Sequence, residues 1–315
     1  MTIELESPFS YFGGKRKAAA EVWARLGAVR NYVEPFFGSG AVLFRRPEPI
    51  DGTETINDAD GMVSNFWRAI KLSPSKTAEH ADWPVNENDL HARHAWLVQQ
   101  KDSLREQLEG DPDWHDPKIA GWWNWGLCCW IGGGFCSGVG PWQVVHRKLV
   151  HLGDARGVNR KLVHLGDAGQ GVNRKRVHDR LLPWFQALSD RLRHVRVCSG
   201  DWSRVCGPSV TTGRGLTGVF LDPPYADTAN RRDGLYSVDS LSVAHAVRNW
   251  AVAHGDDPLL RIALCGYEGE HEMPASWSTW QWDAGVGYGR SGNGKRERIW
   301  FSPHCLGSTQ LGLFG

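Results

Sequence analysis

The sequence predicts an α/β fold: a doubly wound sheet flanked by helices and split by an inserted, mostly helical segment. Three observations predict it. Short apolar runs ending in an acid alternate with stretches at helical spacing, first over residues 31–71 and again after residue 195. A glycine-rich turn, EPFFGSG at 34–40, follows the first run, as in the opening βα turn of such sheets. Between the two alternating stretches, residues 75–194 differ in character: acidic helical spacing, then a Trp-rich run, then a basic block.

The elements follow in order. Ala18–Leu26 has helical spacing behind a Gly pair, and Asn31–Glu34 reads as a strand. After the glycine turn, apolar Ala41–Phe44 is expected to open a helix. ETIND reads as a second strand ending at Asn57–Asp58, and GMVSNFWRAIK as the next helix. Alternation resumes with VRVCSGDW (195–202), GVFLDPPY (218–225), a helix at Leu241–His254 and LLRIALCGYE (259–268). The last part, from TWQW to RIWFSP, reads as two strands joined by a Gly-rich loop. The predicted domains are 1–74 and 195–315, forming one core, with 75–194 inserted between them.

Composition narrows the function classes. The 315 residues are 41% hydrophobic and 23% charged, with net charge +1, an ordinary globule with ample core. Charge is unevenly distributed. Glu79–Asp116 holds ten acidic against three basic residues, and Arg147–Arg196 holds twelve Lys/Arg against four Asp. Such a basic block is the footprint of a nucleic-acid contact, and equally of a solvated face. Seven Cys make no CxxC pair and no metal-spaced cluster, and no signal peptide precedes them, so a reduced, cytoplasmic protein is expected. Residues 119–145 carry no charge, but seven glycines with Asn, Ser, Gln and Pro argue for a buried helix and loop rather than a membrane span. No GxxxxGK[ST] supports a P-loop. Most of the 17 Trp are expected in cores.

The basic block contains a repeat: RKLVHLGDA occurs at 147–155 and again at 160–168, with GVN after each copy. The unit is too short for a solenoid. It suits short hairpins or a duplicated surface loop. If it meets DNA, Arg147, Lys148, Arg160 and Lys161 supply phosphate contacts, which position a protein without reading sequence.

Chemistry concentrates at strand ends. Glycines in EPFFGSG let backbone approach a ligand, Glu34 can accept from an amine, and Asp58 stands where doubly wound folds grip ribose hydroxyls. Together they suggest a nucleoside-containing cofactor. Asp58 could equally cap the next helix. In LDPPY, Pro cannot donate to a ladder and biases the preceding residue to extended conformations. The chain therefore leaves the strand at Asp222 in a stiff corner presenting a carboxylate, bare carbonyls and a ring.

YFGGK at 11–15, EPFFGSG, Asp58 and DPPY at 222–225 occur in that order. The chain resembles the Dam-like, D12 class DNA adenine N6-methyltransferases over residues 7–71 and 195–301. The resemblance implies a Rossmann-like, S-adenosyl-L-methionine-dependent methyltransferase core with an inserted target-recognition domain. It implies that Tyr11, Gly14 and Lys15 contact the methionine part of the cofactor, that Phe36, Gly38 and Gly40 cradle it, that Asp58 holds its ribose, and that Asp201 and Trp202 lie near its adenine. Tyr11 stands where well-known members have Trp. Asp222, Pro223, Pro224 and Tyr225 are implied as catalytic. Asp222 and the Pro223 carbonyl would accept from the target amine, and Tyr225 would stack on a flipped-out adenine. Arg231 and Arg232, in the loop after DPPY, are expected on the DNA backbone. His245, His254 and His271 are read as surface or core residues. DPPY also occurs in RNA adenine methyltransferases, and a catalytically silent nucleic-acid binder of the same fold is a rival class. The partner expected is double-stranded DNA, with no membrane and no metal, the protein being a monomer or weak dimer.

Overall fold

A computed structural model describes residues 5–9, 15–48, 52–111, 113–130, 135–136, 142–145, 148–151, 172, 180–225, 242–282 and 296–307. The chain divides into two compact units. One draws on residues 15–58, 194–232 and 240–315 and holds a seven-stranded sheet. The other draws on residues 1–14, 59–193 and 233–239 and is mostly helical.

The sheet is built from β1 (Asn31–Glu34), β2 (Thr53–Asp58), β5 (Val195–Ser199), β6 (Thr217–Leu221), β7 (Leu260–Tyr267), β8 (Ser278–Gln281) and β9 (Glu297–Phe301). Their order is β5-β2-β1-β6-β7-β9-β8. The first five run parallel; β9 is antiparallel to β7, and β8 to β9. Chain order reverses at β1, whose neighbours are β2 and β6. In open α/β sheets the crevice beyond the strand ends at such a reversal is where ligands bind.

β1, β6 and β9 are buried at every residue, as strands covered on both faces must be. Along β6 the side chains alternate. Val219 and Leu221 pack with Val247 and Ala251 of α7 (Val243–His254), together with Ile262 and Leu264 of β7. On the other face α1 (Ala19–Leu26) comes so close that a Cβ on Gly218 would lie 3.2 Å from Leu26 Cδ1. Burying these apolar chains is worth about 1.5–3 kcal/mol each and is what holds the layers together.

The expectation of a helix opening at Ala41–Phe44 is corrected. Only one 3-10 turn forms, Leu43–Arg45. Pro47 disfavours helical backbone at Arg46, which is extended (φ −59°, ψ 126°). Likewise VRVCSGDW is strand only to Ser199, and Asp201 caps a second 3-10 turn, Trp202–Val205, by accepting from Ser203 N–H at 2.9 Å.

The helical unit comprises α2 (Gly61–Leu72), α3 (Pro74–Ala81), α4 (Glu87–Gly110), α5 (Pro117–Cys129), α6 (Leu181–Leu192) and an antiparallel hairpin, β3 (Trp142–Val145) with β4 (Lys148–His151). Asp116 followed by Pro117 starts α5: the Asp side chain accepts from the N–H groups of Lys118 and Ile119, and Pro sits where no N–H is needed. The uncharged run thus begins as a buried helix, with Trp123 and Trp125 in the core. Trp122 is half-buried and carries Arg93 and Lys118 against its ring. The stretch from Ala59 to Arg193 belongs to this unit, and within it α2 packs on α5 and α6. The first repeat copy supplies β4; the second lies outside the described residues. Among the described residues no helix is long and apolar enough to cross a membrane.

Candidate active site

Every described residue of the site belongs to the sheet unit, most of them at or beyond the carboxyl ends of β1, β2, β5 and β6, with β7 and β9 alongside. The β1 and β2 ends are tied together first. Asp58 Oδ2 accepts the Gly38 N–H at 2.9 Å, and Asn57 Nδ2 donates to the carbonyls of Pro35 and Gly200 at 3.1 and 3.0 Å. Gly38 and Gly40 have φ of +48° and +73°. At Gly40 the glycine is also required by space, because a Cβ would meet Phe44 Cε2 at 2.5 Å and Phe37 Cζ at 2.7 Å. No α-helix follows, and the amides of Phe37, Gly38 and Gly40 donate within the protein, to the Asn57 carbonyl, Asp58 Oδ2 and the Phe37 carbonyl. Phe36 and Trp202 stand beside it, ring centroids 6.3 Å apart and planes within 28°.

Glu34, at the end of β1, faces inward. It is 2% exposed, accepts the Tyr32 hydroxyl at 2.8 Å and takes a backbone hydrogen bond from Leu43. Burial pushes its carboxyl well above the usual range, against the opposing pull of the Tyr32 hydrogen bond.

The β6 corner is different. Asp222, with its side chain 20% exposed, lies 2.9 Å from Lys15 Nζ through Oδ1. Burial raises its carboxyl and Lys15 pulls the other way. Lys15, from the start of the sheet unit, is 2% exposed, so its ammonium is held inside the protein by acids. Tyr225 is also buried. Its hydroxyl donates to Glu297 Oε2 at 2.6 Å, its ring lies edge-on to Tyr267 at 4.5 Å, and Lys15 Nζ sits 5.2 Å from the ring centroid. Pro223 is buried and Pro224 half-buried. The Cys265 thiol, on β7, is pushed up by burial and next by the Asp222 charge.

Glu297 was not singled out from sequence. It lies 72 residues after Tyr225, at the head of β9, and register pairs it with Tyr267. It also approaches Lys15 Nζ at 3.7 Å. An isolated acid opening a strand pattern, ERIWF, carries no local mark of function. Its position beside β7 is the only signal, and that needs the strand order.

The structure therefore brings together Lys15, Asp222, Pro223, Pro224 and Tyr225 in one cluster, and Phe36, Gly38, Gly40, Asp58, Asp201 and Trp202 at the neighbouring strand ends. Tyr11, Gly14, Arg147, Arg160, Lys161, Arg231 and Arg232 lie outside the described residues, and of Lys148 only the backbone, opening β4, is described. His254 is exposed and stacks on Trp250, while His271 is 8% exposed against Trp300.

An open, mostly parallel sheet with glycine turn, acid and DPPY corner at its switch point is consistent with a methyltransferase fold. Residues 11–109 match the family model of the D12 class N6 adenine-specific DNA methyltransferases, the family that the motifs resemble. The match takes in YFGGK, EPFFGSG and Asp58; DPPY lies beyond it. No curated protein matches the chain.

Proposed function

We propose that the protein transfers a methyl group from S-adenosyl-L-methionine to N6 of an adenine flipped out of double-stranded DNA. The observation that carries this reading is Asp222: a partly exposed carboxylate at the end of β6, fixed by a buried ammonium, in a chain whose first third matches an adenine-N6 DNA methyltransferase family.

The cofactor's demands suit the residues at the β1 and β2 ends. Gly38 and Gly40, both at positive φ, leave the turn without side chains at those positions, which favours close approach of a ligand to backbone. Asp58, which accepts the Gly38 N–H, ends β2 where doubly wound folds place an acid for ribose hydroxyls. Two aromatic contacts at about 3.5 Å each need about 7 Å. The 6.3 Å between Phe36 and Trp202 is close to what a planar base requires. When bound, the cofactor supplies an electrophilic sulfonium methyl.

The chain's own work falls to the corner. The adenine amine is a poor nucleophile because its lone pair is delocalised into the ring. Asp222 accepts one N–H and the Pro223 carbonyl the other, which draws the nitrogen towards tetrahedral geometry and releases the lone pair. Lys15 on Oδ1 keeps the carboxylate from rotating, and Pro223 and Pro224 keep the carbonyl in place. The acceptors are thus preorganised where charge develops. Asp222, raised by burial, takes the surplus proton after transfer. Tyr225 packs against the base. Residues 75–194, with the hairpin and the basic block, read the target, and Arg147, Lys148, Arg160, Lys161, Arg231 and Arg232 hold phosphates.

Incubation with methyl-labelled cofactor and either duplex DNA or RNA tests this. Label recovered as N6-methyldeoxyadenosine is expected. Label on RNA alone would make the enzyme an RNA methyltransferase, and cofactor-independent DNA binding without label would make it a silent binder.

A further inference from the structure

The corner's aromatic ring does not hold itself in place; it is held from another strand. Tyr225 is 4% exposed and its hydroxyl donates to Glu297 Oε2 at 2.6 Å. The same oxygen is 3.7 Å from Lys15 Nζ, whose shorter contact, 2.9 Å, is to Asp222 Oδ1. One carboxylate thus touches both side chains that set the corner's geometry: the ring that meets the base and the cation that orients the acceptor. Backbone rigidity explains why Glu297 can do this. It is fixed at the head of β9 by pairing with Tyr267, its carbonyl accepts from Trp282 N–H and Arg298 Nη1, and it is 5% exposed. A buried acid is costly unless its oxygens are used, and both recorded uses point to the corner.

We infer that Glu297 is a positioning residue for methyl transfer, acting through the Tyr225 hydroxyl and Lys15 rather than by touching substrate. The inference rests on the proposed function above. It adds a residue far along the chain from the DPPY motif and outside the matched region, and it fixes where the Tyr225 ring stands. A hydrogen bond to a charged acceptor is one of the stronger kinds, so losing it lowers the rate rather than merely loosening a side chain.

Glu297→Ala and Tyr225→Phe are each expected to lower kcat about tenfold while the KM for cofactor stays within about twofold. Because both remove the Tyr225–Glu297 bond, the losses in the double variant are expected to be less than additive. Glu297→Gln keeps an acceptor for the hydroxyl and recovers part of the rate, a rescue that a purely structural role would not follow. Additive losses in the double variant, or an unchanged kcat in Glu297→Ala, would overturn the inference. Should Glu297→Ala fail to fold, the cycle between Glu297→Gln and Tyr225→Phe decides the same question. A second readout separates this from the proposed function. In protein carrying 3-fluorotyrosine at its six tyrosines, the 19F resonance missing from Tyr225→Phe identifies Tyr225. That resonance is expected to shift in Glu297→Gln without cofactor or DNA. An unmoved resonance contradicts the inference even if wild-type protein methylates DNA. A shifted resonance in a protein that transfers no methyl contradicts the proposed function alone.

Discussion

Two acids end neighbouring parallel strands, Glu34 on β1 and Asp222 just past β6, and burial raises the carboxyl of each. Their surroundings part them. Glu34 is 2% exposed and its partners are a tyrosine hydroxyl and a backbone amide, with no cation within ion-pair reach among the described residues. Asp222 keeps an exposed edge and holds a buried ammonium at 2.9 Å. The contrast teaches that an acid at a strand end is not by itself a site. A carboxylate works on a substrate only if it stays charged and keeps an open side. Lys15 secures the first condition for Asp222 and the proline corner the second. Glu34 has no such cation among the described residues, and its bonds run to the Tyr32 hydroxyl and the Leu43 backbone.

Removing the cation tests that contrast most severely. Lys15→Met leaves the partly exposed Asp222 and the buried Glu297 without their counter-charge and is expected to cost about 3 kcal/mol in denaturant unfolding. If stability is unchanged, the ammonium does not set the state of Asp222. Gly40→Ala should cost about 2 kcal/mol, because a residue with φ +73° also collides with Phe44 and Phe37; calorimetry of the variant checks it, along with its cofactor affinity, which should fall. Glu34→Ala strips the acceptor from the fully buried Tyr32 hydroxyl and should cost about 1.5 kcal/mol. The smallest effect sharpens the comparison: Glu34→Gln should leave kcat within about twofold of wild type. A large loss there would show that Glu34 serves the reaction and not only the fold.

Much of the sheet was legible because each strand announces itself locally. Val219–Leu221 is apolar and stops at an acid and two prolines, and Asn31–Glu34 runs into glycines. The strand order was not legible, since nothing in a single strand says that β1 lies between β2 and β6. That order is what brings Asp58, Asp222 and Glu297 to the same edge of the sheet, at the ends of β2 and β6 and the head of β9. The helix expected at Ala41–Phe44 failed because Pro47, three residues beyond the run, overrules its apolar spacing. Asp58 was readable as a strand-end acid, but its bond to the Gly38 amide was not, because a turn 20 residues earlier supplies the donor. Tyr225 shows the same limit more sharply. Its ring was expected to face a base, whereas its hydroxyl is claimed by an acid on a strand whose sequence gives no hint of it.

The central claim is that Asp222 activates the amine and does not merely hold the corner together. Asp222→Asn keeps the shape and removes the charge, so the decisive measurement follows methyl transfer to duplex DNA and cofactor binding in the same preparation. Transfer is expected to fall at least about 100-fold, with cofactor affinity within about twofold of wild type. Transfer at the wild-type rate by Asp222→Asn would contradict the account.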